Sequence, residues 1–378
     1  MEWTRRQFLS RSSLALVGTA SSALVFSSDT SERRDALPDG SAAKGMITLD
    51  TDQAIDRGLL YLQQSQHRQN PQDLLFGSFG TRNYTGNVAV TSLSALAFMA
   101  AGHQPNRGIY GQNVIDALRF VLSQSRREGN FTGFLHYPPG TPFGPMYGHG
   151  FGTLFLAEVS GMVHDPVLRQ RVQDTLHAAV QLIIKSQIAE GGWRYTPGSR
   201  EADISVTICQ IMALRAARNA GIFVPKSVVT KCVDYVKNCQ DRRDGWFRYM
   251  AQGGPGEKDA FARTAAGVVA LNTAGIYTGP EIEKGLDFMQ AHRPQRRTTF
   301  RGDTPDMYYY YGHYYAVQAM WTAGGERWKR WYPPVRDELI RVQMPEGYWV
   351  DQICQHYATA MACIILQIPN NYLPILQK

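Results

Sequence analysis

The sequence predicts an all-α protein, an (α/α)6 toroid built from six helical hairpins, and three observations predict it. Two kinds of helical segment alternate along the chain, the second kind repeats in register, and a glutamine–glycine–aromatic pattern recurs at the junctions between them. With 378 residues and 44% hydrophobic side chains, the chain can bury one large core, and no shift of composition divides that core.

The first kind of segment is amphipathic and rich in charged or amide residues: about 51–65, 110–126, 165–187, 226–239, 280–292 and 327–343. The second kind is richer in Ala, Gly and aliphatic residues: about 86–102, 147–162, 203–220, 259–275, 306–323 and 351–368. A helix that is apolar nearly all round must be buried on most faces, whereas one with a single polar face suits an outer layer. Six pairs of this kind predict an inner and an outer ring. Thr91, Phe98 and Gly102 share their spacing with Thr264, Leu271 and Gly275 and with His313, Met320 and Gly324, and Thr207 and Leu214 begin the same pattern. The glycines that follow these helices suit C-terminal caps.

At the junctions, Gln187-Ile-Ala-Glu-Gly191-Gly192-Trp193, Gln240-Asp-Arg-Arg-Asp-Gly245-Trp246 and Gln343-Met-Pro-Glu-Gly347-Tyr348-Trp349 end three outer segments. Arg57-Gly58-Leu-Leu-Tyr61-Leu62-Gln-Gln-Ser-Gln66 and Lys231-Cys-Val-Asp-Tyr235-Val236-Lys-Asn-Cys-Gln240 supply the preceding half of the pattern. Together these residues resemble the glutamine–tryptophan repeat of squalene-hopene and oxidosqualene cyclases, within the wider superfamily that includes protein prenyltransferases. The resemblance covers roughly residues 50–368 and implies a single toroid. A Gln at a helix end can satisfy orphan backbone groups while the indole packs on the next hairpin, so the motif is structural and carries no chemistry.

Thr4-Arg5-Arg6-Gln7-Phe8-Leu9, followed by the weakly apolar stretch Leu14 to Phe26, resembles a twin-arginine export signal. The expected organisation is therefore a signal segment at 1–28, a flexible linker at 29–48 and the toroid at 49–378, with the protein exported to the periplasm or cell envelope. No transmembrane helix is expected in the mature chain, although peripheral membrane contact is compatible with it. The formal charge of +7 is spread over many segments and reads as surface basicity, not as a nucleic-acid site. Cys209, Cys354 and Cys363 fall on apolar faces, while Cys232 and Cys239 are too far apart on one helix to bridge. Without a Cys/His cluster, no metal and no cofactor are expected.

In such a ring the N-terminal ends of the inner helices and the lumen form the natural concave site. Candidate catalytic residues there are His149, Asp203, Asp259, Asp306 and His313; the competing role for each Asp is helix capping. Candidate ligand-binding residues are Tyr147, Trp193, Trp246, Tyr308, Tyr311, Trp349 and His356, an aromatic wall suited to an apolar polycycle, an isoprenoid or the face of a sugar. Resemblance to the cyclases implies protonation of an alkene by a D-x-D-D motif, to which Glu201-Ala202-Asp203-Ile204 is an incomplete match. Resemblance to the prenyltransferase catalytic subunit implies a zinc site, but Asp259-Ala-Phe261 and Asp306-Met-Tyr-Tyr309 retain only its aspartates, so that activity is rejected. Three functions follow as expectations: an isoprenoid-binding or divergent cyclase-like protein, a carbohydrate-active enzyme using two of Asp203, Asp259, Asp306 and Glu257 as an acid/base pair, or an interaction scaffold.

Overall fold

The computed structural model describes residues 41–253, 260–294 and 308–377. Within them lie twelve α-helices, short 3₁₀ turns and isolated bridges, with no strand. The outer helices are α1 (Leu49–Ser65), α3 (Gly111–Ser123), α5 (Pro166–Lys185), α7 (Lys226–Cys239), α9 (Pro280–Ala291) and α11 (Gly325–Arg341). Between them run the inner helices α2 (Val88–Ala100), α4 (Pro145–Val159), α6 (Ile204–Asn219), α8 (Ala260–Thr273), α10 (Tyr309–Ala323) and α12 (Gln355–Gln367). The starts follow ordinary capping chemistry. Thr48 and Thr51 form a reciprocal capping box at α1, the Asn87 and Asp203 side chains accept the first free N–H groups of α2 and α6, and Asp165 caps α5 ahead of Pro166.

Each inner helix packs on the next, and α12 packs on α2, so the inner ring is closed. Its faces are apolar nearly all round, and most residues of α2, α6 and α12 are fully buried. The predicted toroid is therefore the fold.

The junction glutamines act as repeated clamps. The side-chain amides of Gln187, Gln240 and Gln343 each donate to the carbonyl of the glycine in their own loop, Gly191, Gly245 and Gly347, at 2.8–2.9 Å. Each also donates to a carbonyl of the next outer helix, Val228, Glu281 or Ala54, at 2.8–2.9 Å. The last of these ties α11 to α1 and closes the outer ring. Gln66 makes the same pair of bonds, to Gly77 and Asn113, across a longer loop. Gly191 (φ +101°) shows why glycine stands there: a Cβ would lie 2.1 Å from the Lys231 carbonyl oxygen. Two residues beyond the glycine, the buried Trp193 and Trp349 indoles donate to Ile183 and Leu339 at 2.8 Å. In the fourth hairpin that place belongs to Phe247, not Trp246: Phe247 is fully buried, while Trp246 is half-buried under Arg248.

The ends of the ring differ. Beyond α12, residues 368–377 run from α12 to α6, which stand on opposite sides of the inner ring, and so cross its base. Leu373, Ile375 and Leu376 are buried there; the Ile375 N–H donates to the Glu158 carboxyl at 3.3 Å and the Gln377 carbonyl accepts from Arg215 at 3.4 Å. The sequence showed no periodicity in this stretch, and the linker expected at 29–48 is partly structural. Within it, the Ala42 carbonyl accepts from the Trp328 indole and the Met46 carbonyl from Arg336.

Candidate functional site

One position in the first turns of the inner helices repeats around the ring and faces the outer layer. Thr91, Thr207, Thr264 and Thr359 use their hydroxyl oxygens there to accept the N–H of Phe79, Trp193, Phe247 and Trp349, at 3.0–3.1 Å. In α4 the residue at that position is His149, whose Nδ1 accepts the N–H of Leu135 at 3.2 Å and whose Nε2–H donates to the Ala179 carbonyl at 3.2 Å. His149 thus does the work of a threonine hydroxyl. In α10 it is His313, enclosed by Tyr309, Phe261 and Trp331 of the outer layer, with Nδ1 donating to the Tyr309 carbonyl at 3.0 Å. Burial holds both rings neutral, pushing their pKa values down to about 3. His356 also faces outward, with Nδ1 accepting the Gly80 N–H and its ring against Phe79 and Tyr61; burial lowers its pKa to about 4. The three histidines do not converge.

Two residues earlier on a helix is about 200° around it, which is the opposite face. Stepping back two from each repeated position gives Ala89, Tyr147, Ser205, Ala262, Tyr311 and Tyr357, and all six line a single cavity. It opens at the N-terminal ends of the inner helices, with a volume of about 600 Å³, in the size range of small-molecule sites. Val90, Leu93 and Phe151 add apolar surface from the helices, and loops add Tyr84, Phe143, Tyr195, Tyr249 and Ile353.

Among the described residues, two charged side chains line the cavity. Arg263 is buried and donates Nε–H to the Phe247 carbonyl at 3.1 Å; Asp351 is half-buried and accepts the Ile353 N–H at 2.8 Å. Asp203 lies behind the wall. Its Oδ1 accepts the Val206 N–H at 2.9 Å and the Ser205 hydroxyl at 2.5 Å, and Arg194 approaches Oδ2 at 3.9 Å. Burial raises its pKa from the ordinary aspartate value against the pull of these partners. The guanidinium of Arg194 sits over the Tyr195 and Tyr249 rings, whose hydroxyls are hydrogen-bonded to each other. Two tyrosines converge on Ser205: the Tyr147 hydroxyl meets its Oγ at 2.7 Å, and the Tyr311 hydroxyl donates to its carbonyl at 2.8 Å from α10. Burial lifts the pKa of both phenols well above the ordinary tyrosine value, so both keep their protons.

Of the residues singled out from the sequence, Tyr147, Tyr308 and Tyr311 line the cavity. Tyr308 does so from the left-handed region (φ +72°), uncommon for a non-glycine residue. Trp193 and Trp349 are fully buried at the hairpin junctions with their indole N–H groups occupied, and Trp246 lies against Arg248; none of the three reaches the cavity. Asp259, Asp306 and Glu257 lie outside the described residues, as does the twin-arginine segment. All five cysteines are buried free thiols, and burial pushes Cys209 and Cys239 up to about 12. Among the described residues no cluster of three or more His, Cys, Asp or Glu could hold a metal ion, and no helix is long and apolar enough to cross a membrane. Sequence reasoning missed Ala89, Ser205 and Ala262, which the register of Thr91, Thr207 and Thr264 already contained, Tyr357, whose repeat partner Thr359 was not in that register, and the loop residues, which follow no periodicity.

No protein-family model matches the chain, and no curated protein matches it. Solved structures do. Cellobiose 2-epimerase from Bacillus thermoamylovorans is similar over 85% of this chain and 99% of its own, at 13% identity and a TM-score of 0.61. The type II terpene cyclase MstE from Scytonema is similar over 86% of this chain and 99% of its own, at 14% identity and a TM-score of 0.55. A D-mannose isomerase is similar over 85% and 98%, at 11% identity and a TM-score of 0.58. What these proteins share with this chain is the fold, a six-hairpin (α/α)6 toroid.

Proposed function

We propose that this cavity binds an isoprenoid or comparable apolar polycyclic lipid, in a protein exported to the cell envelope by the twin-arginine route. The observation that carries the proposal is the composition of the wall: Ala89, Val90, Leu93, Phe151, Ala262 and Ile353 between the faces of Tyr147, Tyr311 and Tyr357. A Scytonema terpene cyclase of the same fold has been solved with geranylgeranyl dihydroxybenzoate as substrate. Against proton-initiated cyclisation stands Asp203, whose carboxyl is engaged by Ser205 and Val206 and does not border the cavity. Binding and carriage therefore fit better than the cyclase reaction.

A sugar is the second candidate, favoured by the likeness to a cellobiose epimerase and a mannose isomerase and by aromatic faces that can stack on pyranose rings. A hydrolase of this kind needs two carboxyl groups about 5–10 Å apart across the substrate. Among the described lining residues Asp351 is the sole carboxylate. Native mass spectrometry of protein purified from its own host distinguishes the two: the expected result is a bound lipid mass lost on organic extraction. Protein that is repeatedly empty, and that is stabilised against heat by cellobiose or mannose but not by geranylgeraniol, rules out the lipid.

A further inference from the structure

Three oxygens on the α6 side of the cavity wall have no proton to offer a ligand, and the direction of their hydrogen bonds is fixed from the helix cap outward. Oδ1 of Asp203 must accept, because the Val206 backbone N–H, which can only donate, points at it at 2.9 Å. The Ser205 hydroxyl lies 2.5 Å from the same oxygen and gives it its single proton. A proton taken up by Asp203 would go to Oδ2, which has no hydrogen-bond partner among the described residues, and would leave Oδ1 an acceptor. With its proton given away, Ser205 Oγ meets Tyr147 at 2.7 Å as the acceptor, so the Tyr147 phenol donates to it. The neighbouring Tyr311 phenol is committed as well, donating to the Ser205 carbonyl at 2.8 Å. Burial of both phenols keeps those protons in place.

Resting on the assignment of a lipid to this cavity, we infer that Tyr147, Ser205 and Tyr311 form an acceptor-only patch that selects a ligand carrying a hydroxyl group, which donates its hydrogen bond there. The class is thus an isoprenoid or polycyclic alcohol rather than a bare hydrocarbon or an ether. An ether oxygen placed against this patch would bring lone pairs to lone pairs, and a hydrocarbon would strip the oxygens of water without replacing its hydrogen bonds. Leaving a buried polar group without its partner costs about 1–3 kcal/mol, or roughly five- to 150-fold in affinity.

The test has two arms. In the first, the intact protein is titrated with geranylgeraniol and with geranylgeranyl methyl ether, which differ in the hydroxyl proton and a methyl group. The alcohol is expected to bind about tenfold more tightly or better. In Ser205→Ala, where Tyr147 loses its acceptor and regains a proton to donate, the preference is expected to fall to within about threefold. Equal affinity of the wild-type protein for the two probes, or a preference unchanged in Ser205→Ala, overturns the inference. The second arm needs no ligand and no variant: neutron diffraction of a deuterium-exchanged crystal should place the Tyr147 deuteron toward Ser205 Oγ and the Ser205 deuteron toward Asp203 Oδ1. A Tyr147 deuteron directed into the cavity overturns the inference regardless of which molecules bind. If neither probe binds but the deuterons lie as expected, the lipid assignment has failed and the acceptor-only patch stands.

Discussion

The outward and inward faces of the inner helices, two residues apart in sequence, follow opposite rules. Outward, Thr91, Thr207, Thr264 and Thr359 perform one task, and His149 performs it with a ring nitrogen. Inward, no such uniformity holds: Ala89, Ser205 and Ala262 leave room, while Tyr147, Tyr311 and Tyr357 fill it. The lesson is that repetition marks what holds the ring together, and departure from repetition marks where a ligand can sit. It also explains how His149, a catalytic candidate by its place in the sequence, holds a hairpin junction in the molecule.

The largest expected effect comes from the outer side of this comparison. Trp193→Ala removes a fully buried indole and orphans the Ile183 carbonyl, and should destabilise the protein by about 3–5 kcal/mol in urea unfolding. Lipid affinity of the fraction that remains folded should be unchanged; a loss of affinity larger than the loss of folded protein would break the division between the faces. A sharper comparison uses one helix. Thr91→Val leaves the Phe79 N–H without its acceptor and should cost about 1–3 kcal/mol with binding intact. Ala89→Leu, two residues away, should change stability by less than about 1 kcal/mol while weakening binding at least about tenfold, because the added carbons occupy the cavity. Reversed outcomes for the pair would refute the assignment of faces.

A further effect is a pH dependence on the outward side. His149, His313 and His356 are held neutral, with pKa values of about 3, 3 and 4 in the fold against about 6.5 when unfolded. Below pH 6.5 the unfolded chain takes up protons that the fold refuses, so stability falls as the pH drops, by up to about 1.4 kcal/mol per unit for each ring. Glu158 opposes this. Its pKa is raised from 4.5 to about 7 by burial, so its contribution is present at low pH and is lost as the pH rises through 7. Three rings outweigh one such acid, and urea midpoints should fall between pH 6.5 and 5. A midpoint that rises over that window would show that the histidines are not buried as described.

Much of the fold was legible because its signals are periodic. The predicted outer segment 226–239 is the observed α7, and 280–292 exceeds α9 by a single residue. The site was legible only in part. Tyr147, Tyr308 and Tyr311 stood out as aromatic residues at inner-helix starts, but Ala89 and Ala262 matter through the space they leave, which composition does not reveal. Tyr195 and Tyr249 reach the cavity from loops whose course depends on tertiary contacts, such as the seat of Arg194 over both rings. Asp203 carries the same side chain whether it caps or catalyses, and only its bonds to Val206 and Ser205 separate the roles.

The segment 368–377 that crosses the base of the ring has a consequence for traffic. With Leu373, Ile375 and Leu376 packed there, the described residues close the lumen at its far end. A ligand of the kind proposed would leave by the opening through which it came. The end of such a ligand that enters first would meet Leu93 and Phe151, farther along α2 and α4, while the end that enters last would stay beside the tyrosines at the helix starts.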